Sequence, residues 1–273
     1  MKGKRILVTG GAGTIGSELC RQLCKDNKVF SIDINESGFF DIQQELGIYG
    51  RVGDIRNLDT IKDVFSDFKP QVIYHAGAYK HVPLMEKYPI EAIQTNIIGT
   101  YNLISEAKRW ECLEKFVFIS TDKAVSTTSI MGATKRMGEI MVKNQGKGFI
   151  VVRFGNVLGS RGSVIPIWQK QIENNQPITI TDERMTRFMM TIEEAVNLVI
   201  TASVQGKGGE IFILDMGEPI KVLDLAKEII KKSGKDISIK TIGIRDGEIL
   251  EETLMTEEEK SRAIYKGNFF IIK

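Results

Sequence analysis

This chain lacks an excess of charge of either sign. It carries 37 Lys and Arg against 35 Asp and Glu, and a formal net charge of +2 at pH 7. That gives no electrostatic case for a nucleic acid or an anionic membrane as partner. Long apolar runs are also missing. The longest, such as "FVFIS" and "FIVVRF", are strand-length and fall short of the roughly 18–20 residues of a membrane helix, so no membrane segment is expected. The opening "MKGKRILVTGG" enters a strand at once, and no signal peptide is expected. Cysteine is sparse: Cys20 and Cys24 lie one helical turn apart, and Cys112 stands alone. An odd count without paired spacing argues against a disulfide framework. No matching His or Cys pair completes a metal site with Cys20 and Cys24, so no metal is expected. Packing on a buried helix face explains them better, and a cytoplasmic location fits. Repeats, low-complexity tracts and Pro-, Gly- or Ser-rich linkers are absent.

What is present is ordinary globular material. Of 273 residues, 42% are hydrophobic and 26% charged, which suits one large domain or a domain with an appendage. Apolar strands ("KRILVTG", "KVFSID", "QVIYHAG", "KFVFIS", "GFIVVRFG") alternate with helical patterns ("SELCRQLCKD", "TIKDVFSDF", "EAIQTNIIGTYNLISEAKRW", "TKRMGEIMVKNQ"). Strands that are apolar throughout and separated by helices demand a parallel sheet covered on both faces. The predicted fold is α/β: a Rossmann-type doubly wound parallel sheet with a smaller mixed α/β substrate-binding lobe. Residues 1–160 form the nucleotide-binding part. Residues 161–273, where the rhythm loosens, form the lobe, interleaved with the end of the sheet. The terminal "YKGNFFIIK" reads as a closing strand.

"VTGGAGTIGS" places Gly10, Gly13 and Gly16 between the first strand and the first helix, with Thr14 and Ile15 at the helix start. Glycines there let the backbone turn tightly and approach a pyrophosphate, whose charge rests on the helix N-terminus. Asp33 ends the second strand, about twenty residues on, where a carboxylate accepts from a ribose diol and repels a 2′-phosphate. No arginine follows closely in "DINESG", which favours NAD over NADP. In "GDIRN", after the next strand, Asp54 and Ile55 are placed for the adenine, although Asp54 reads equally well as part of a helix cap.

"STDKAVSTTSIMGATKR", residues 120–136, has a strand end followed by a helix carrying Lys135. Four residues earlier, where a proton-transferring tyrosine would be expected, stands Met131. A thioether cannot exchange protons.

Together, "TGGAGTIG", "HAGAYKHVPLME", "TNIIGT", "STDKAV", "MGATKR", "RFGNVLGSRGSVIP", "MTRFMMTIEEAV" and "IGIRDGEILEETL" resemble the extended short-chain dehydrogenase/reductase superfamily. Within it, they resemble the polysaccharide-biosynthesis nucleotide-sugar dehydratases acting on UDP-N-acetylglucosamine, in the methionine-bearing, configuration-retaining branch. Many members of that branch carry an N-terminal membrane region; this chain looks like the soluble catalytic portion alone. The resemblance implies a 4,6-dehydratase. NAD oxidises the sugar at C4, the C5 proton becomes acidic, water leaves from C6, and the hydride returns to C6. It implies that Thr121 hydrogen-bonds the C4 oxygen and that Asp122 is the acid toward C6. Lys123 would be the base at C5, provided its surroundings lower its pKa. Lys135 would hold the nicotinamide ribose. Asp122, through Thr121 or a water, is the first choice to accept the C4 hydroxyl proton in the absence of the tyrosine.

The same resemblance implies further contacts. Ala76, Gly77 and Ala78 would pass under the cofactor, with His75 packing or hydrogen-bonding there and Asn96 bonding near it. Lys80 and His81 would lie near the sugar or in a solvated loop. Asn156 would lie near the diphosphate. Arg187 and Arg245 would clamp the phosphates, and Glu248 would bind the uridine ribose. A homodimer through the two long helices is implied, although Ile93, Ile97, Ile98 and Leu103 would equally suit packing on the chain's own sheet. A UDP-sugar 4-epimerase is the alternative, opposed by the Asp122–Lys123 pair. A catalytically silent NAD- or UDP-sugar-binding protein rests on Met131 alone.

Overall fold

A computed structural model describes residues 1–273. Six parallel strands build the first half: β1 (Arg5–Thr9), β2 (Lys28–Asp33), β3 (Tyr49–Val52), β4 (Val72–His75), β5 (Lys115–Thr121) and β6 (Phe149–Phe154). Their spatial order is β6-β5-β4-β1-β2-β3. The order reverses at β1, which pairs with β2 on one side (Thr9 opposite Ile32) and β4 on the other (Thr9 opposite His75). The connections from β1 therefore diverge, opening a crevice beyond the carboxyl ends of β1 and β4.

Helices cover both faces: α1 (Thr14–Leu23), α2 (Glu36–Leu46), α3 (Leu58–Phe68), the short α4 (Val82–Lys87) and α5 (Pro89–Ala92), α6 (Thr100–Ala107) and α7 (Ile130–Lys143). Alternate residues of β1 serve opposite cores. Ile6 and Val8 join Leu19 and Val196 on one face, whereas Leu7 joins Leu103 and Phe118 on the other. This two-sided burial explains why the strands read as unbroken apolar runs.

Two departures from the sequence reading concern local structure. No helix was expected over residues 36–46, yet α2 lies there; β3 is the strand expected ahead of Asp54. Asn35 caps α2 by accepting from the Gly38 N–H at 3.0 Å, and Gly47 ends it at φ 61°. The expected long helix over residues 91–110 is also not uniform. Ile93–Gly99 is π-helical between α5 and α6. Gly99 lets the Ile55 side chain come so close that a Cβ would sit 2.7 Å from it.

Beyond β6 the chain passes between the sheet and a small lobe more than once. The helix Val164–Glu173, the strand Ile178–Ile180 and the helix Val222–Ser233 enclose a separate core around Trp168, Ile172 and Met185. Between these, the helix Ile192–Gln205 returns to the sheet face. The strand Ile211–Leu214 extends the sheet in parallel beside β6. Phe269–Ile272 then pairs antiparallel with it, and Ile264–Lys266 forms the outer edge.

A buried ionic cluster ties the C-terminal segment to this frame. Arg153 of β6 has no exposed surface. Its Nη2 donates to Glu139 of α7 at 2.7 Å, and its Nη1 donates to Glu259 at 2.8 Å and to the Leu254 carbonyl at 2.9 Å. Arg136 joins the same two carboxylates. The segment around residues 252–262 is thereby held against the helix that carries Met131 and Lys135.

Candidate active site

The crevice holds a groove of about 240 Å³ that continues into a cleft of about 590 Å³. Gly10, Gly13, Ala76, Ala78, Tyr79 and Arg161 line both. At Gly10, φ is +70° and a Cβ would stand 2.6 Å from the Gly77 nitrogen; at Gly16 it would stand 2.0 Å from the Gly10 carbonyl oxygen. Both positions are closed to any side chain by backbone. Thr14, Ile15 and Gly16 line the cleft.

Asp33, Asp54, Ile55 and Gly77 line the groove. Asp33 Oδ2 accepts from the Ala12 N–H and Oδ1 from the Asn35 N–H, each at 2.8 Å. The carboxylate thus braces the glycine turn as it faces the groove. Asp54 pairs with Arg56 at 2.6 Å. Burial pushes its carboxyl up, but Arg56 outweighs this and holds it below the ordinary value. The helix cap that was its alternative reading belongs to Asn57, which accepts from the Asp59 and Thr60 N–H groups.

His75 and Asn96 are spent on the protein itself. His75 is buried between Thr9 Oγ1, 2.7 Å from Nδ1, and Thr100 Oγ1, 2.9 Å from Nε2. Burial, with a contribution from Lys135, lowers its pKa to about 3. Asn96 accepts from the Tyr79 N–H at 2.8 Å and donates to the Tyr79 carbonyl and Thr134 Oγ1 at 3.0 Å. It lines neither cavity, so its part is to pin the Tyr79 loop to α7 rather than to touch a ligand.

At the end of β5, Thr121 Oγ1 donates to Asp122 Oδ1 at 2.8 Å. Lys123 Nζ lies 3.0 Å from the same oxygen, 3.3 Å from Asn156 Oδ1 and 3.4 Å from Glu252 Oε1. Thr121, Lys123, Asn156 and Glu252 face the cleft. Asp122 does not. It has no exposed surface and stands behind Thr121 and Lys123, which corrects its expected place as the acid in direct reach of the sugar. The condition set for Lys123, a lowered pKa, is opposed by its two carboxylate neighbours. Burial works against its charge, but Asp122 and Glu252 prevail and hold its pKa above the ordinary lysine value. It rests as an ammonium. For Glu252 burial dominates: with Asp122 nearby it raises the carboxyl above its ordinary value, against Lys123 and Arg187.

Met131 and Lys135 come from one face of α7. Met131 is 3% exposed and packs with Val82, Met85 and Ala92 while reaching the cleft. Lys135 Nζ sits 4.0 Å over the Phe118 ring centroid. Burial, opposed by Glu139, lowers its pKa to about 7.

The residues expected to bind substrate, Lys80 and His81 among them, also line the cleft. Lys80 Nζ is 3.4 Å from Ser160 Oγ, and burial lowers its pKa. The His81 pKa is lowered first by burial, then by Lys80 and Arg245. Arg245 and Glu248 pair with each other near His81, where Gly247 packs against Val82 and Glu86. Arg187 Nη1 donates to the carbonyls of Thr186 and Leu250, and Nη2 to that of Ile249. It therefore shapes the wall more than it reaches into the cleft.

The sequence reading missed Glu252 and Arg161. "ILEETL" carries no period that marks one glutamate from its neighbour, and only the fold brings Glu252 to Lys123.

Comparison with known proteins gives the same frame. The family described as polysaccharide biosynthesis protein matches residues 6–273. The chain belongs to this family, within the extended short-chain dehydrogenase/reductase superfamily. It is 49% identical over 274 residues to the capsular polysaccharide biosynthesis protein CapD of Staphylococcus aureus, covering 94% of this chain and 46% of CapD. This chain thus spans about half the length of that relative. It is 34% identical to a UDP-glucose 4-epimerase of Rickettsia bellii, covering 98% of this chain and 82% of the epimerase. The structure of Pen from Bacillus thuringiensis superposes with a TM-score of 0.93 at 39% identity, covering 99% of this chain and 88% of Pen. No helix is long and apolar enough to cross a membrane.

Proposed function

We propose that this chain is an NAD-dependent nucleotide-sugar 4,6-dehydratase that converts UDP-N-acetylglucosamine to a UDP-4-keto-6-deoxy sugar with C5 configuration retained. The observation that carries the proposal is the Lys123 ammonium on the cleft wall, clasped by two carboxylates and flanked by Thr121. Removal of water requires a base at C5 and an acid toward C6, whereas exchange of configuration at C4 requires only a group that takes and returns the C4 hydroxyl proton.

The residues of the groove fit NAD. Gly10 and Gly16 admit no side chain and leave room for a pyrophosphate at the start of α1. Asp33, braced by two backbone N–H groups, is placed to accept from a ribose diol. When bound, NAD would supply a hydride acceptor for C4 and return the hydride to C6. Lys135, over Phe118, would hold the nicotinamide ribose. Thr121 would orient the C4 oxygen, and Asp122 behind it would fix the Thr121 hydroxyl and the Lys123 charge. Met131 would fill the tyrosine's place without exchanging a proton. The Arg245–Glu248 pair, Asn156 and the free N–H groups of Arg187 would receive the UDP portion.

A 4-epimerase is the second reading, favoured by the likeness to the Rickettsia bellii epimerase along 98% of this chain. Incubation with UDP-N-acetylglucosamine in deuterated water, read by NMR and mass spectrometry, separates the two. Loss of water with deuterium at C5 supports the dehydratase. A C4 epimer of unchanged mass replaces it with the epimerase. A homodimer is also proposed. Ile90, Ile93, Ile98 and Tyr101, with Met137 and Ile140 of α7, form an exposed apolar surface, whereas Leu103 is buried in the chain's own core. Sedimentation should find twice the chain mass.

A further inference from the structure

The dehydratase reading leaves one difficulty. The lysine assigned as base rests as an ammonium, and the aspartate assigned as acid lies behind the cleft wall. We propose that Glu252 resolves both, as the cleft-facing proton partner of Lys123. This inference deepens that reading and rests on it.

The geometry is specific. Glu252 is 8% exposed, its side chain only 4% exposed, and it lines the cleft. Its Oε1 lies 3.4 Å from Lys123 Nζ, while Oε2 is buried with no protein partner. An unpaired buried carboxylate oxygen is costly unless something visits it. The charged groups that face the pair are Asp122 on its own turn and Arg187 across the wall. Asp122, Lys123 and Glu252 together carry two potential negative charges and one positive. Burial favours taking up a proton on Glu252, consistent with the raised position of its carboxyl.

The elimination step balances in protons. A proton moves from Lys123 Nζ to Glu252, leaving an amine and a carboxylic acid with no change in net charge. The amine takes the C5 proton of the 4-keto sugar. The C5–H electron pair forms the C5–C6 double bond, and the C6–O bond breaks with its pair on oxygen. The Glu252 proton joins that oxygen, which leaves as water. Lys123 is again an ammonium and Glu252 a carboxylate, as at the start. Asp122 stays ionised throughout and anchors Thr121 and Lys123.

The test uses Glu252→Gln, Glu252→Asp and Asp122→Asn, with two readouts. The first is the pH dependence of Lys123 labelling by acetic anhydride, read by peptide mass, which needs no turnover. Lys123 should become reactive at a lower pH in Glu252→Gln than in wild type. The second is water loss from UDP-N-acetylglucosamine against affinity for it. Glu252→Gln should lose about 100-fold or more in turnover, the scale of general acid–base catalysis, with affinity retained and the pH profile of turnover altered. Glu252→Asp should keep the wild-type profile shape at a reduced rate. Wild-type turnover and labelling in Glu252→Gln would overturn the inference. So would a smaller loss there than in Asp122→Asn. If Glu252→Gln fails to fold, Glu252→Asp decides, because equal falls in affinity and turnover would mark a structural part only. A wild-type protein that never releases water overturns the dehydratase reading and the proton cycle built on it. The labelling arm would still judge the pairing of Glu252 with Lys123.

Discussion

Replacing Arg153 by methionine tests whether the buried ionic cluster holds the C-terminal segment in place. The substitution keeps much of the side-chain length and removes every guanidinium donor. Glu139 would keep only Arg136, whose side chain is 36% exposed, and Glu259 would keep Arg136 and the Thr256 N–H. Breaking a buried pair by removing one partner costs about 3–5 kcal/mol. A second route gives a similar figure. Burial pushes the Glu259 carboxyl up, yet Arg153, then the Thr256 N–H and Arg136, hold it at about 2 against an ordinary 4.5. At about 1.4 kcal/mol per tenfold change in proton affinity, that shift is worth roughly 3 kcal/mol. At roughly 2–4 °C per kcal/mol, the melting temperature should fall by about 6–20 °C. Circular dichroism melts at pH 7 measure this. The sign of the pH dependence follows from the lowered carboxyl: its stabilisation is complete above 4.5 and fades as pH falls toward 2. The gap between wild type and variant should close over that window. A variant that melts with the wild type at pH 7, or a gap unchanged by acid, would refute the reasoning.

Three further outcomes are expected. Gly10→Ala should abolish NAD binding by calorimetry and lower stability, because a left-handed φ alone costs about 1–2 kcal/mol for a non-glycine residue and its Cβ meets the Gly77 backbone. Lys135→Met should lose turnover yet melt higher than wild type at pH 7 and below. Burial lowers the lysine from 10.5 to about 7, so its penalty grows as pH falls through that range, and the gain should vanish above 10.5. Met131→Leu should keep turnover and stability close to wild type, within about 1.5 kcal/mol by denaturant melt; a collapse of turnover would mean the sulfur does more than fill space.

The sheet was legible because its strands are buried on both faces, so β1, β2, β4, β5 and β6 stand out as apolar runs with glycine or aspartate at their ends. The glycine turn was legible because backbone crossings at Gly10 and Gly16 exclude other residues. α2 was not, and β3 was legible only through the Asp54 that follows it, because β3 is an edge strand with Tyr49 and Val52 exposed, and edge strands lack the apolar signature. The π-helical turn ends at Gly99, which Ile55 meets from the turn after β3, a contact no local pattern shows. The site was legible as a list and not as an arrangement. Thr121, Lys123, Met131 and Lys135 fall on local motifs. The withdrawal of Asp122, the charge on Lys123 and the arrival of Glu252 all depend on distant contacts.

The buried histidine under the groove has a consequence for the electrical behaviour of the site. The Gly77 N–H donates to Thr9 Oγ1, and Thr100 Oγ1 donates to the Asn96 carbonyl. The Thr100 hydroxyl has given its proton to Asn96 and can only accept from Nε2, which leaves a neutral His75 one tautomer: a donating Nε2 and an Nδ1 that accepts from Thr9. With its pKa near 3, the ring stays neutral through the range in which Lys135 gains or loses its charge. The floor beneath the groove is therefore an insulator of constant potential, and what titrates in this site near neutrality does so on the walls.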